Sequence, residues 1–252
     1  MTITFHGATS TPTDNGLNDD AADVIVTPPA SMANGMLAYA HVNHRSNGAT
    51  LTNVITGGQT WTAETNRANG TSSAYRNFWT TFNGTWAADP TFHTNVTQTS
   101  ALTGILLAFS CTSGVWAIDQ IEQTVGFTAP GSPFDVSRAG QTPTNADSVT
   151  IAGFHTTSDA NTWALQTAGW TVAPSAQIRN TQGAGTSTQL AYLIQSSAAA
   201  TGAVVSRQNA ALAGVTWIQT FYEVPGASGQ PAYSRDQSIS FLGRSFAGPQ
   251  LW

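Results

Sequence analysis

Residues 101–110 read ALTGILLAFS. The run is apolar, interrupted only by Thr103 and Gly104, and followed at once by Ser, Cys, Thr, Ser and Gly. A helix would lose stability to the glycine and find no cap, whereas a short apolar run between turn formers suits a buried strand. A similar stretch, ALAGVTWIQTF, stands at 211–221.

Reading outward from these two stretches gives strands throughout. Val-, Ile-, Thr- and aromatic-rich segments of about five to nine residues occur at 23–27, 36–43, 60–65, 74–82, 91–96, 104–111 and 115–120. They continue at 148–154, 169–173, 189–196, 202–206, 215–224 and 238–242. Asn-Gly, a strong hairpin signal because both residues tolerate positive φ, follows Asn15, Asn34, Asn47, Asn69 and Asn83 at the first position. No window carries helical periodicity with caps; a short helical turn is expected at most near 197–201.

The order of landmarks in the first half recurs in the second. MLAYAHV, Trp61, AYRNFWTTF and ALTGILLAFS are followed by SVTIAGF, Trp170, QLAYLIQSS and ALAGVTWIQTF. Trp61 to Trp170 spans 109 residues, Gly104 to Gly214 spans 110, and Met36 to Ser148 spans 112. The expected fold is all-β: an antiparallel jelly-roll-like sandwich of eight strands built from two pseudo-repeated halves. The alternative is two separate small sandwiches. The chain divides into an N-terminal arm or edge strand (1–22), the sandwich (23–224), and a linker with a C-terminal tail (225–252). In the tail, Phe246, Leu251 and Trp252 are apolar enough to serve in assembly or to cap the sandwich itself.

Composition narrows function. The chain has no lysine and eight arginines, charged residues make up 8% against roughly 25% in ordinary domains, and Thr occurs 38 times. A surface of short uncharged polar groups suits packing against copies of itself or along polar polymers. Net charge −5 without cationic clusters argues against nucleic acid. The N-terminus lacks the basic and apolar regions of a secretory signal, and no apolar stretch reaches membrane length. The single Cys111 reads as a small buried hydrophobe.

Candidate chemistry is sparse. Asp119 and Glu122 in AIDQIE have the look of a glycoside hydrolase strand, but Ala117 stands where a nucleophile is needed, and the chain has only three Glu (Glu64, Glu122, Glu223). His41 and His44, three apart at a strand end, read as solvated turn residues rather than metal ligands. Asp14, Asp19, Asp20 and Asp23 lack calcium-loop spacing. No nucleophile elbow, P-loop or dinucleotide fingerprint occurs. No catalytic residue, metal or cofactor is therefore expected. For carbohydrate binding, the candidates are Tyr75, Arg76, Trp79, Trp86 and Trp163, aromatic faces near turns with a guanidinium beside them.

TPPASMANGMLAYAHV, GGQTWTAE, AYRNFWTTF and TGILLAFSCTSGVWAID, in that order, resemble a recurrent β-sandwich of phage, prophage and gene-transfer-agent particles. In that family a "G-[DM]-[LM]-L-x-A" strand precedes a "G-W-T" strand, a "Y-x-R" strand and a "G-x-[IL]-x-A-[FY]" strand. Here Asn34-Gly35-Met36-Leu37 departs from the first pattern and Gln59-Thr60-Trp61 from the second, which Gly169-Trp170-Thr171 fits better. The resemblance covers residues 23–224. It implies a non-enzymatic virion-surface protein: a head decoration, head spike or tail adhesin. Its expected partners are other virion proteins, further copies of itself and host surface glycan, with synthesis in the bacterial cytoplasm. A free carbohydrate-binding module is the alternative, and a glycoside hydrolase the next.

Overall fold

A computed structural model describes residues 3–14, 16, 23–45, 51–69, 73–95, 101–128, 131–181 and 185–225. Among these there are 17 strands and no helix. The first half holds β1 (Thr4–Thr11), β2 (Asp23–Ile25), β3 (Leu37–His44), β4 (Leu51–Ile55), β5 (Thr62–Ala63), β6 (Arg67–Asn69), β7 (Ser73–Thr81), β8 (Thr91–Thr94) and β9 (Leu102–Ser110). The second holds β10 (Trp116–Phe127), β11 (Phe134–Arg138), β12 (Ser148–Thr156), β13 (Trp163–Leu165), β14 (Thr171–Asn180), β15 (Thr186–Gln195), β16 (Val204–Gln208) and β17 (Gly214–Glu223).

Four sheets result. The larger sheet of the first half runs β1-β9-β3-β7-β5, with β6 also on β7, and its small sheet runs β2-β8-β4. The second half has β10-β17-β12-β15-β14 and β11-β16-β13. All the strand pairings are antiparallel.

Side-chain alternation stacks these sheets in four layers. On β3, Ala38, Ala40 and Val42 pack outward with Val24, Leu51 and Phe92 of the small sheet. Leu37 and Tyr39, on the opposite face, join Ile105, Leu107 and Phe109 of β9 against Val149, Ile151, Val215, Trp217 and Phe221 of the second half. Beyond them, Ala152, Phe154 and Ile218 meet Val136, Trp163 and Val204 of the other small sheet. The two large sheets therefore lie face to face in the middle, covered on both sides. Strands β3 and β12 are buried at every position. Strands β9 and β17, covered on both faces along nearly their whole length, read for that reason as mostly apolar runs at 101–110 and 211–221 rather than as strict alternation.

Two glycines fit these constraints. Gly35, at φ 85°, closes the turn whose amide bonds Phe82. Gly153 pairs with Trp217, and a Cβ there would stand 1.9 Å from the indole ring.

The all-β antiparallel sandwich class holds. The strand count does not stop at eight: a single partner layer could not cover central strands that are apolar on both sides, so each half brings a second sheet. Residues 4–11 form the edge strand β1 on β9. No helix occurs at 197–201. Cys111 is half-buried at the end of β9. Residues 238–242, Phe246, Leu251 and Trp252 lie outside the described residues.

Candidate functional site

The concentration of chemistry-bearing side chains lies where the two large sheets face each other. His41, on the inner face of β3, donates from Nδ1 to Asn77 Oδ1 on β7 (2.8 Å). Asn77 Nδ2 donates to Glu122 Oε2 on β10 (2.5 Å), and Thr124 Oγ1 donates to Glu122 Oε1 (3.0 Å). In the other direction, Asn43 Nδ2 lies 3.4 Å from His41 Nε2 and donates to Thr188 Oγ1 on β15 (3.1 Å). Thr188 contacts His155 Nδ1 (3.0 Å), and His155 Nε2 contacts Ser73 Oγ (3.1 Å). One hydrogen-bonded line thus crosses between the halves from Glu122 to Ser73.

Aromatic rings enclose this line. His41 stacks on Trp217 (4.3 Å between centroids), Tyr75 stacks on the same indole (4.9 Å), and Trp217 Nε1 donates to Tyr39 Oη (3.1 Å). Burial pushes the His41 and His155 imidazoles down to about 3, so both are neutral at ordinary pH. Burial raises the Glu122 carboxyl, against the pull of Asn77 and Thr124, with Glu64 adding to the rise. At the outer end, Glu64 Oε1 accepts from Gln219 Nε2 (2.6 Å), and Arg67 Nε stands 3.9 Å from Glu122.

Ser73 and His155 are within the reach expected of a nucleophile and its base. Both are fully buried, and the second imidazole nitrogen meets a threonine hydroxyl rather than a carboxylate. Asp119 and Glu122 diverge. Burial pushes the Asp119 carboxyl up, but hydrogen bonds from Thr144, Gln120 and Asn145 outweigh it and hold it below the usual range. Asp119 Oδ2 accepts from the Asn145 amide (2.8 Å), pinning the 144–145 turn, while Glu122 points into the seam. They do not face one sugar.

The carbohydrate candidates do not form one surface. Tyr75 is fully buried, its hydroxyl on Thr124 (2.7 Å). Arg76, on the opposite face of β7, donates to the carbonyls of Glu64 (2.5 Å) and Leu51 (2.8 Å). Trp79 is half-buried edge-on to Phe221 (5.4 Å). Trp163 requires correction: it stands in β13, not in a polar loop, and at 4% exposure packs on Phe154 (5.6 Å). Trp86 keeps partial exposure, stacked on Phe82 (4.7 Å) beside the Asn83–Gly84 turn.

His41 and His44 also correct the reading of solvated turn residues. Strand β3 continues through His44, the sheet is covered on both faces, and both rings are fully buried. No group of three His, Cys, Asp or Glu able to hold a metal ion occurs among the described residues. Asp14 instead forms a two-pronged pair with Arg179 (3.1 and 3.0 Å), and Asp23 pairs with His93. Asp19 and Asp20 lie outside the described residues.

Sequence reasoning passed over Asn43, Ser73, Asn77, His155, Thr188 and Gln219. Their signal was available: polar residues at every second position of strands whose other positions are apolar, as in AHVNH and FHT. Comparison with protein-family models, with curated proteins and with solved structures finds no match to this chain.

Proposed function

We propose that this chain is a non-enzymatic structural protein displayed on a phage-like particle, its two halves being tandem copies of one jelly-roll unit joined back to back. The observation that carries the reading is the use made of its polar and aromatic groups. His41, His155, Asn43, Asn77, Glu122 and Trp217, the side chains that could serve chemistry, are engaged in bonding across the seam between the halves, while 8% charged residues leave a sparsely charged exterior. That division of labour suits a rigid body packed among other proteins.

The repeat reading draws on strand order. If the strands of each half are counted one to eight, taking β5 and β6 as one, the large sheet runs 1-8-3-6-5 and the small sheet 2-7-4 in both. The register agrees as well: Val42 faces Gly104, and Thr156 faces Gly214.

Host glycan contact is assigned to the Trp86 corner, where a partly open indole follows the Asn83–Gly84 turn that Gln59 braces. The test is electron microscopy of particles made with and without the protein. Extra density at defined particle positions only when the protein is present is the expected result. A protein that never co-sediments with particles overturns it. Glycan binding that Trp86→Ala abolishes, without particle association, would favour a free carbohydrate-binding module.

A further inference from the structure

Two Asn-Gly turns of the first half lie against each other, and their glycine amides differ. At 34–35 the Gly35 amide donates to the Phe82 carbonyl (2.8 Å), and Gly35 is buried although Asn34 is exposed. At 83–84 both residues are exposed, and the Gly84 amide makes no hydrogen bond among the described residues. A Cβ on Gly84 would stand 3.2 Å from the Asn34 Cβ, so the two turns meet closely.

The Asn83 side chain is held in place beside that free amide. Its Oδ1 accepts from the Thr85 amide (3.0 Å) and from Gln59 Nε2 (2.8 Å), while Gln59 Oε1 accepts from the Asn83 amide (3.0 Å). A bond to the amide two residues on folds an asparagine carboxamide back across the intervening peptide, here the one that carries the Gly84 nitrogen. Two N–H donors thus meet the oxygen on which negative charge gathers when the carboxamide carbon is attacked. The amino group that would leave is held by one long bond, from Nδ2 to the Gly58 carbonyl (3.3 Å). Gly84, at φ 92°, brings no Cβ to hinder the approach.

We propose that Asn83 is a modification site of this chain, converting to aspartate and isoaspartate through an imide formed with the Gly84 nitrogen. The Gly84 nitrogen gives its proton to water and bonds to Asn83 Cγ. The Cγ–Nδ2 bond then breaks, and the amino group takes a proton and leaves as ammonia. Water opens the five-membered imide at either carbonyl, so the reaction needs no oxidant, reductant or second enzyme. The aspartate product keeps both donors, because a carboxylate accepts from Gln59 and Thr85 as the carboxamide did, but it loses the bond to Gly58. The isoaspartate product lengthens the main chain by one carbon, which the braced turn cannot absorb unchanged. Either one places a negative charge three residues before Trp86 on a sparsely charged exterior. This assignment goes beyond the virion reading and does not depend on it.

Peptide mass spectrometry on the full-length chain tests it, after incubation at mildly alkaline pH both folded and in urea. In urea the two Asn-Gly sites should convert at similar rates. In the folded chain Asn83 should keep its rate in urea, whereas Asn34 should slow by about tenfold or more, because its turn must open before the Gly35 amide is free. Both isoaspartate and aspartate should appear at position 83, separated by chromatography of the peptide. Folded-state slowing at Asn83 as large as that at Asn34 overturns the proposal. So does aspartate without isoaspartate, since that product mixture means direct hydrolysis of the side chain rather than attack by Gly84.

Discussion

The two halves put the same strand order to different use at their shared boundary. Three residues before the glycine-facing position, the first half has Tyr39 opposite Leu107, while the second has Gly153 opposite Trp217. Where one half is large-and-medium, the other is void-and-largest. Tyr39 and Trp217 then meet across the seam through a hydrogen bond. The edge strands differ in the same spirit: β1 is overlaid by its own chain, whereas β10 shows Ile121 and Val125 to solvent. The difference teaches that strands at matching places in the two sheet orders carry complementary rather than identical side chains where the halves touch each other.

The strongest way to break the comparison is to give Gly153 a side chain. Its Cβ would stand 1.9 Å from the Trp217 ring, and Trp217 is held by Tyr39, Tyr75 and His41. Gly153→Val should cost upwards of about 4 kcal/mol, read as loss of soluble folded protein or a greatly lowered melting temperature. Next comes Trp163→Ala in the outer core of the second half, expected to cost about 3–5 kcal/mol by denaturant melt. Trp86→Ala, at the partly open corner of the first half, should cost less than half of that, and equal costs would show that its exposure is illusory.

Acid sharpens the picture of the seam itself. An unfolded chain takes up protons at His near the ordinary value of 6.5, while folded His41 and His155 resist until about 3. Stability is therefore complete above 6.5 and declines as pH falls toward 3, by at most about 1.4 kcal/mol per pH unit for each ring. Glu122, raised by burial, acts with the opposite sign, favouring the fold as pH drops through the carboxylate range. Urea melts across pH 4–7 should show a slope that His41→Gln with His155→Gln flattens; an unchanged slope would assign it to other groups. At the small end, Arg207→Ala removes a surface pair with Asp135 and should leave the melting temperature within error.

Much of this fold was legible in residues. ALTGILLAFS and ALAGVTWIQTF announced strands covered on both faces, and Asn34–Gly35 and Asn83–Gly84 announced turns. Short strands such as β4, β6 and β13 were not legible, since three to five residues carry too little period to stand out and owe their shape to the sheet beneath. The seam was harder still. His41 looked like the end of a strand because polar residues follow it; its partner Asn77 stands on the neighbouring strand, and only the facing sheet supplies Thr188 to Asn43 and Ser73 to His155, so that these groups can be buried. Trp163 misled for a related reason: polar neighbours suggested a loop, but the small sheet places the indole over Phe154.

Residues 111–115 are the single covalent passage between the halves, and they are held at both sides. Trp116 Nε1 donates to the Gly35 carbonyl (2.9 Å), and the Ser113 amide bonds the Glu223 carboxylate. The wall each half presents to the other is too apolar to stand in water alone. A cut within 111–115 should therefore yield two pieces that stay together through gel filtration, whereas each piece made separately should precipitate until its complement is supplied.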